Sequence, residues 1–219
     1  HAAASETLPR VTWYLDEPLA DAAVIPTFLL SELTSAHVKV VLTGEGADEL
    51  LGGYDKYRVL LYGGRLRRLG ALRAGARLLR GSVTEIGLRR ALDSLSKSDS
   101  AAAYRALVSV FDEHDLAGLV APGLAREPAW ERERARVGEL MASCPSDDPV
   151  DQLAFVDLAT WLPNDVLLKV DKMSMAHGLE ARVPFLDHLF ARLLTSIPSG
   201  MKIRRFKEKW IRRAAARGV

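Results

Sequence analysis

The sequence has one cysteine, Cys144, and no apolar run long enough to cross a bilayer. A lone cysteine cannot form an intramolecular disulfide, and it excludes a cysteine-rich metal site. No signal peptide opens the chain, so we expect a cytoplasmic protein with no membrane partner. Because the chain begins with His1 instead of methionine and ends at Val219 inside a predicted helix, we also expect a piece of a longer protein.

Positive and negative charges are almost balanced. The chain has 30 lysines and arginines and 28 aspartates and glutamates, which give a net charge of +2. This balance indicates no nucleic-acid partner. Two stretches depart from it: residues 65–90 contain eight arginines and one acid, and residues 202–217 contain eight basic residues and one acid. Both can be solvated helix faces or surfaces for an acidic partner. Aromatic residues are scarce in the first stretch, which argues against stacking on RNA bases.

The order of predicted elements favours a doubly wound α/β sheet. Residues 25–36 have helical periodicity, with Pro26 in the first turn. Residues 39–42, KVVL, predict a short, buried parallel strand, and a glycine loop follows directly. In such sheets ligands bind just beyond the carboxyl ends of the strands, which is where this loop lies.

The rest of the chain is predicted to be mainly helical. Residues 63–150 show helical periodicity and no convincing strand. Residues 150–176 predict one or two buried helices broken near Pro163, and an extended stretch precedes Pro184. Asp187 is the expected N-cap of a helix over residues 187–196, and a basic last helix is expected to start near Phe206.

The glycine loop, TGEGADELLGGY from residue 43 to 54, is unusually acidic. Gly44 and Gly46 flank Glu45, so the backbone there can adopt positive φ or come close to a ligand. The first N–H groups of the following helix favour an anion, whereas carboxylates such as Glu45 and Asp48 repel phosphate. A magnesium ion between the carboxylates and a phosphate would reconcile the two, because Mg²⁺ prefers oxygen ligands of both kinds.

A simpler interpretation of the loop stays open. Glu45, Asp48 and Glu49 can merely complement the dipole of the helix that follows a tight turn. The spacing matches neither GxGxxG nor the Walker pattern, so the loop alone does not identify a nucleotide site.

A second segment rich in charge, LPNDVLLKVDKMSMAHGLEARVPFLDH, covers residues 162–188. Asp165 and Lys169 are four residues apart, so their side chains are neighbours on a helix. His177 and His188 have no partners at metal-ligand spacing, and ordinary hydrogen bonding is expected for both. On this pattern alone, ion pairs on a helix surface are the favoured interpretation of the segment.

Taken together, these two segments resemble the synthetase domain of the glutamine-dependent asparagine synthetases. WYLDEPLAD at residues 13–21 and KEKWIRRA at residues 207–214 fit the same family. The resemblance implies an ATP-pyrophosphatase-like (adenine nucleotide alpha hydrolase-like) α/β fold with a parallel sheet, here partial, and a large helical portion. Residues 1–62 would form the nucleotide-site part, residues 63–150 a helical region, and residues 151–219 helices that return to the active site.

The resemblance implies an adenylate-forming amide ligase with Mg²⁺ and ATP as cofactors. Such enzymes transfer AMP to the side-chain carboxylate of aspartate and release pyrophosphate, and ammonia then attacks β-aspartyl-AMP. In this family a separate amino-terminal glutaminase domain supplies the ammonia from glutamine. No such domain is recognisable in this chain, and a homodimer is compatible with the resemblance.

Site residues carry over from the family position by position. Thr43 and Gly44 match the nucleotide-contacting pair after the strand, and Gly46 belongs to the same loop. Glu45 matches the acid that is important for forming the acyl-adenylate. Lys209 resembles the lysine that stabilises charge during adenylation and amide formation.

Two aspartates are the implied metal ligands. Asp48 in the glycine loop would help to hold Mg²⁺, and Asp165 is a second candidate for the metal or the pyrophosphate. The SGGxDS loop that grips pyrophosphate in this family is absent from the chain, as is an amino-terminal cysteine nucleophile. We therefore expect this segment to carry half an active site and to be inactive alone.

Two alternatives remain at this level. A related β-lactam- or macrolactam-forming amide synthetase would adenylate another carboxylate, although Glu45 in the loop favours asparagine synthesis over these relatives. A non-catalytic interaction module would use its arginine-rich helices to bind an acidic partner or RNA. Acids on a phosphate-facing turn argue against the RNA surface, because they weaken nucleic-acid binding.

Overall fold

The computed structural model describes residues 2–67, 69–80, 82–83, 85–111, 113–121, 128–204 and 207–217. The chain forms two compact units, each built from two separated stretches of sequence. The first unit comprises His1–Leu51 and Asp157–Ile197, and the second comprises Gly52–Val156 and Pro198–Val219.

Helices dominate the described residues. The first seven are α1 (Ala2–Leu15), α2 (Val24–Ser35), α3 (Ala47–Leu51), α4 (Asp55–Arg67), α5 (Gly70–Arg80), α6 (Ile86–Ser96) and α7 (Ser100–Val108). The next seven are α8 (Glu113–Leu119), α9 (Pro128–Ser143), α10 (Pro149–Ala159), α11 (Leu168–Met175), α12 (His188–Ser196), α13 (Ser199–Lys202) and α14 (Trp210–Ala215). The strands are β1 (Val40–Leu42) and β2 (Glu180–Arg182). None of the described helices is both long and apolar enough to span a membrane.

The two strands pair in parallel and form a small sheet in the first unit, with Val41 opposite Ala181. The protein is thus an α/β protein that is mostly helical. The predicted parallel strand is confirmed, but the expectation that it is buried is wrong. Leu42 is 73% exposed, because within the described residues β2 is the only strand beside β1 and this side chain is not covered.

The core of the first unit lies between α1, α2 and α11. Five buried residues form it: Val11, Leu15, Val24, Phe28 and Met173. The helix predicted over residues 25–36 is confirmed as α2, which begins one residue earlier. Pro26 lies in its first turn, where an N–H group has no partner within the helix.

The core of the second unit joins α4, α7, α9 and α10 to the end of α13. Its largest members include Tyr57, Tyr104, Met141, Leu153 and Ile203. Helices make up all regular structure described between residues 63 and 150, as the sequence predicts. Non-local pairing of strands plays no part in this core, which rests on packing between helices.

Three boundary predictions have different outcomes. Asp187 caps α12 as predicted, because its carboxylate accepts hydrogen bonds from two N–H groups of the first turn, both at 3.1 Å. Near Pro163 the chain forms a π-helical turn, Leu162–Leu167, between α10 and α11. The last helix begins at Trp210 and not near Phe206, which lies outside the described residues. Lys209 has a left-handed backbone, which an α-helix cannot include.

Candidate functional site

The glycine loop closes tightly after β1. The N–H of Thr43 donates to the carbonyl of Arg182 at 2.8 Å, which extends the sheet by one bond. The N–H of Ala47 then donates to the carbonyl of Gly44 at 3.3 Å. One N–H group that was expected to face an anion is therefore used inside the loop. Because α3 has only five residues, its dipole contributes little there.

The two glycines of the loop serve different purposes. Gly46 has φ of +85°, and a Cβ added there would lie 2.3 Å from Cδ2 of Leu186. Backbone conformation and packing each require glycine at this position. A Cβ added at Gly44 would meet nothing within 4 Å. Gly44 thus leaves an open side on which a ligand can approach, while contact of either glycine with a nucleotide stays a prediction.

Thr43 carries the most informative polar atom of the loop. Its Oγ1 is buried, and no described residue offers it a hydrogen-bond partner. Buried hydroxyls normally pair, because an unpaired one loses its hydrogen bonds to water without replacement. A polar ligand that binds at the carboxyl end of β1 would supply such a partner. The hydroxyl therefore fits the nucleotide contact that the sequence predicts for Thr43.

The three acids of the loop are not equivalent. Glu49 is 1% exposed and belongs to the interior of the protein, so it is not part of a solvated helix face. Glu45 and Asp48 are partly exposed, and each takes part in polar interactions within the chain. Only these two carboxylates are accessible to a ligand in this loop.

Asp165 belongs to a network of charges on the π-helical turn. Lys169 forms an ion pair with the carboxylate of Asp21, and its Nζ lies 3.8 Å from Oδ1 of Asp165. The predicted neighbourhood of Asp165 and Lys169 is confirmed. Burial by itself raises the pKa of Asp21, but the hydrogen bonds that its carboxylate accepts from Lys169 and from the N–H of Ala23, together with the charge of Lys169, bring that pKa below its ordinary value.

A second ion pair lies beside this network. The Nζ of Lys172 contacts Oδ2 of Asp16 at 2.8 Å, and this hydrogen bond raises the pKa of Lys172. Two lysines of α11 therefore hold the WYLDEPLAD segment, through Asp16 and Asp21. Sequence reasoning assigned no part to these two aspartates. The two aspartates are five residues apart in the sequence, and the two lysines are three residues apart on one helix. These similar spacings are the signal that could have suggested the pairing.

A metal centre made by the protein alone is absent from the described residues. No group of three or more histidine, cysteine, aspartate or glutamate side chains is placed there to hold an ion. Mg²⁺ requires less, since one or two carboxylates with phosphate and water oxygens complete its shell. Asp48 fits such a shared site only together with a substrate phosphate, and the ligand function of Asp165 stays a prediction.

Lys209 belongs to the second unit, where it precedes α14. Its backbone has φ of 49° and ψ of 36°, and its carbonyl accepts the N–H of Arg213 at 3.0 Å. The side chain is partly buried and takes part in interactions within the chain. The sequence predicts the basic character of this region but not the left-handed turn.

Comparison with known proteins defines the class of protein that carries this loop and these segments. The family described as "Asparagine synthase" matches residues 1–219. The chain therefore belongs to the asparagine synthase family.

Named relatives agree with this assignment. A putative asparagine synthetase [glutamine-hydrolyzing] of Mycobacterium tuberculosis is 37% identical over 225 residues, which cover 95% of this chain and 31% of the relative. Asparagine synthetase [glutamine-hydrolyzing] 1 of Bacillus subtilis is 34% identical and covers 97% of this chain and 33% of the relative. The chain thus spans about a third of the length of these relatives.

A more distant relative has a different name. Amidase chry2 of Gibberella zeae is 26% identical over 94% of this chain and 34% of the relative. No solved structure matches the chain significantly.

Proposed function

We propose that this chain is the nucleotide- and aspartate-binding part of an ATP-dependent ligase that makes asparagine. Family membership supports the reaction class, and two relatives named as glutamine-hydrolysing asparagine synthetases support the product. The observation that carries the proposal is the buried, unpaired hydroxyl of Thr43 beside the open side of Gly44. Both lie at the carboxyl end of a parallel strand, where α/β sheets bind ligands.

The proposed fold is a larger ATP-pyrophosphatase-like sheet of which β1 and β2 are two strands. Parallel strands are normally buried on both faces, because helices cover them. The exposed side chains of Val40 and Leu42 depart from that rule. Further strands and helices of a longer protein would cover them, and the same elements would carry the pyrophosphate loop. We therefore expect this chain to be inactive alone.

The proposed reaction has two steps. An oxygen of the aspartate side-chain carboxylate attacks the α-phosphorus of ATP, pyrophosphate leaves, and β-aspartyl-AMP forms. Ammonia then attacks the acyl carbon, loses a proton, and AMP leaves with the electrons of the broken C–O bond. Each step concentrates negative charge on phosphate oxygens, so the site must supply positive charge and fixed donors.

Each site residue has a proposed part in these steps. The hydroxyl of Thr43 and the backbone at Gly44 and Gly46 would bind the nucleotide. Glu45 would orient the aspartate substrate for adenylation, and the ammonium group of Lys209 would stabilise the charge that develops. Mg²⁺, when bound, would neutralise phosphate charge, with Asp48 and, as second candidate, Asp165 as protein ligands.

The remaining partners are also proposals. Ammonia would come from glutamine through a glutaminase domain in the longer protein, as the names of the relatives suggest. We place the protein in the cytoplasm, where ATP and aspartate are available, and a homodimer is compatible with the function. Nucleic acid and membrane are not among the proposed partners.

The decisive experiment measures aspartate-dependent exchange of pyrophosphate into ATP by the full-length protein. We expect Glu45→Gln to lower this exchange by about 100-fold or more, the cost of removing one charged group that acts in the transition state. Glu139→Gln on the exposed surface of α9 is the matched control. Exchange that persists in Glu45→Gln would remove Glu45 from the mechanism.

The same assay separates the alternatives. Wild-type protein that exchanges pyrophosphate with another carboxylate, but not with aspartate, would be a related β-lactam- or macrolactam-type amide synthetase, a reading that the amidase relative favours weakly. Protein that binds no ATP and exchanges with no carboxylate would be an interaction module, and the proposed function would be rejected.

A further inference from the structure

Lys209 has a backbone conformation that its side chain disfavours. Among the described non-glycine residues, only Asp16 and Lys209 have positive φ, at 61° and 49°. The left-handed region brings Cβ close to the backbone carbonyl, so such residues persist only where their surroundings fix them. The groups that impose this geometry are therefore expected among the neighbours of Lys209.

Glu208, the preceding residue, is held at two points. Its Oε1 lies 2.6 Å from Nε of Arg58 on α4, and its side chain is only 17% exposed. Arg58 also pairs with the carboxylate of Asp55 in the first turn of α4. The backbone carbonyl of Glu208 accepts a hydrogen bond from Nε of Arg213 at 3.2 Å. Charge-assisted bonds of this kind fix geometry as well as contribute attraction.

The segment on both sides of Lys209 is equally constrained. Arg204 and Lys207 exchange two backbone hydrogen bonds, at 3.0 and 2.9 Å. The guanidinium of Arg204 lies 4.7 Å from the ring centroid of Trp210, the residue after Lys209. A cation over an indole ring is a favourable contact. Lys209 is thus bracketed by anchored residues.

Arg58 lies on α4, a helix that packs into the core of the second unit. The adjacent Tyr57 is fully buried in the core of the second unit, and Leu60 on the same helix is 4% exposed. A side chain on such a helix is fixed in position more firmly than one on a loop. Arg58 can therefore hold the turn that contains Lys209 in a fixed position relative to the core of the second unit.

Glycine would occupy this position without strain, yet the sequence has lysine. We propose that Arg58, acting through Glu208, is a positioning residue that holds Lys209 in the left-handed conformation and so fixes the direction of its ammonium group. The inference rests on the proposed function, in which this ammonium group stabilises charge during adenylation. A purely structural ion pair would instead only stabilise the start of α14.

Kinetics of the full-length protein distinguish the two roles. We expect Arg58→Met to lower kcat of aspartate-dependent ATP–pyrophosphate exchange by about tenfold, as a displaced catalytic group does, with KM for ATP unchanged. Arg58→Lys should recover part of the loss, because it keeps the charge but not the planar fork. Arg132→Met, on the exposed surface of α9, is the matched control. A kcat per folded molecule that stays at the wild-type value in Arg58→Met would overturn the proposal.

A conformational measurement tests the same inference without activity. NMR couplings that report φ at Lys209 should show a positive angle in this chain and a shift towards negative φ in Arg58→Met. Arg58→Lys, which keeps the positive charge beside both Asp55 and Glu208, should retain the positive angle if the charge pair itself fixes the turn. An unchanged φ in Arg58→Met would overturn the proposal even if activity falls.

Lys209→Ala separates failure of this inference from failure of the proposed function. Normal exchange in Lys209→Ala would show that the lysine has no part in adenylation, which removes the reason for positioning it. Lost exchange in Lys209→Ala, together with normal kcat and φ in Arg58→Met, would keep the proposed function and reject the positioning role of Arg58. Lost exchange in the first variant and the tenfold loss in the second would support both.

Discussion

In each unit a lysine with a largely buried side chain forms an ion pair with an aspartate, but the two arrangements differ. In the first unit Lys169, with a side chain 13% exposed, lies between the carboxylates of Asp21 and Asp165. In the second unit Lys202, 2% exposed, pairs with Asp151 at 3.0 Å. The two pairs therefore differ in burial, and Lys169 has a second carboxylate nearby, that of Asp165 at 3.8 Å.

The second pair, Lys202 and Asp151, lies at the N-terminal end of α10. The other carboxylate oxygen of Asp151, Oδ2, accepts a hydrogen bond from the hydroxyl of Ser146 at 3.0 Å. Asp148 caps α10 and also accepts the hydroxyl of Ser199 on α13 at 2.6 Å. This polar network therefore joins α10 to α13, and we infer that it serves stability. The first pair instead lies next to a predicted ligand carboxylate, Asp165, and we infer that it controls charge there.

The largest effect should come from breaking the more buried pair. Lys202→Met keeps the length of the side chain and removes its charge, which leaves Asp151 without its cation. We expect a loss of about 3 kcal/mol in the free energy of unfolding, as for other buried pairs that lose one partner. Urea unfolding followed by circular dichroism measures the change.

Lys207→Met is the matched control for this substitution. Lys207 lies in the same unit with an exposed side chain, and a change within about 0.5 kcal/mol is expected there. Equal stability of the two variants would show that the Lys202–Asp151 pair does not join α10 to α13 in the way inferred here.

These pairs also show where sequence reasoning ends. Asp165 and Lys169 could be paired in advance, because four residues on a helix bring side chains together. The N-cap at Asp187 could be predicted for the same local reason. Lys169 and Asp21 are 148 residues apart, so only the packing of α11 against the first helices brings them into contact.

Non-local packing explains the other differences as well. The glycine at 46 could be predicted to need special backbone geometry, but not that it packs against Leu186, 140 residues further along the sequence. The exposed face of β1 could not be anticipated, since its apolar residues are those of a buried strand. The last helix begins later than the sequence predicts, because Lys209 adopts a left-handed turn that lysine disfavours.

A smaller effect is expected in the first unit. Lys169→Met removes the ammonium group that lies between the carboxylates of Asp21 and Asp165, so the repulsion between these two acids is no longer offset by that charge. Partial exposure lets water screen the remaining charge, so we expect a loss of about 2 kcal/mol in stability, less than for Lys202→Met. Unfolding in urea at neutral pH measures it.

The control and the rescue for Lys169 sharpen the comparison. Lys39→Met changes an exposed lysine of the same unit and should be nearly neutral. Adding Asp21→Asn to Lys169→Met should recover part of the loss, because only one carboxylate then remains. No recovery in the double variant would mean that Lys169 acts by packing and not by balancing the two acids.

The smallest effect concerns the dependence of stability on pH. Since the pKa of Asp21 is lower in the folded protein than its ordinary value of 3.8, the folded state binds this proton less readily than the unfolded state. The stabilisation that the ionised carboxylate of Asp21 gives to the folded state is complete above the ordinary pKa. It disappears as the pH falls through the lower pKa of the folded protein. The groups that face Asp21 are the ammonium of Lys169, the N–H of Ala23 and the carboxyl group of Asp165.

Comparison with Asp21→Asn isolates this contribution from the other acids. The difference in unfolding free energy between wild type and Asp21→Asn should be below about 1 kcal/mol at neutral pH, as for partly solvated pairs, and should shrink on acidification. Asp171→Asn, at an exposed position on α11, is the matched control. A difference for Asp21→Asn that stays constant in acid would show that Lys169 does not hold Asp21 ionised. The contrast between the two units would then reduce to burial alone.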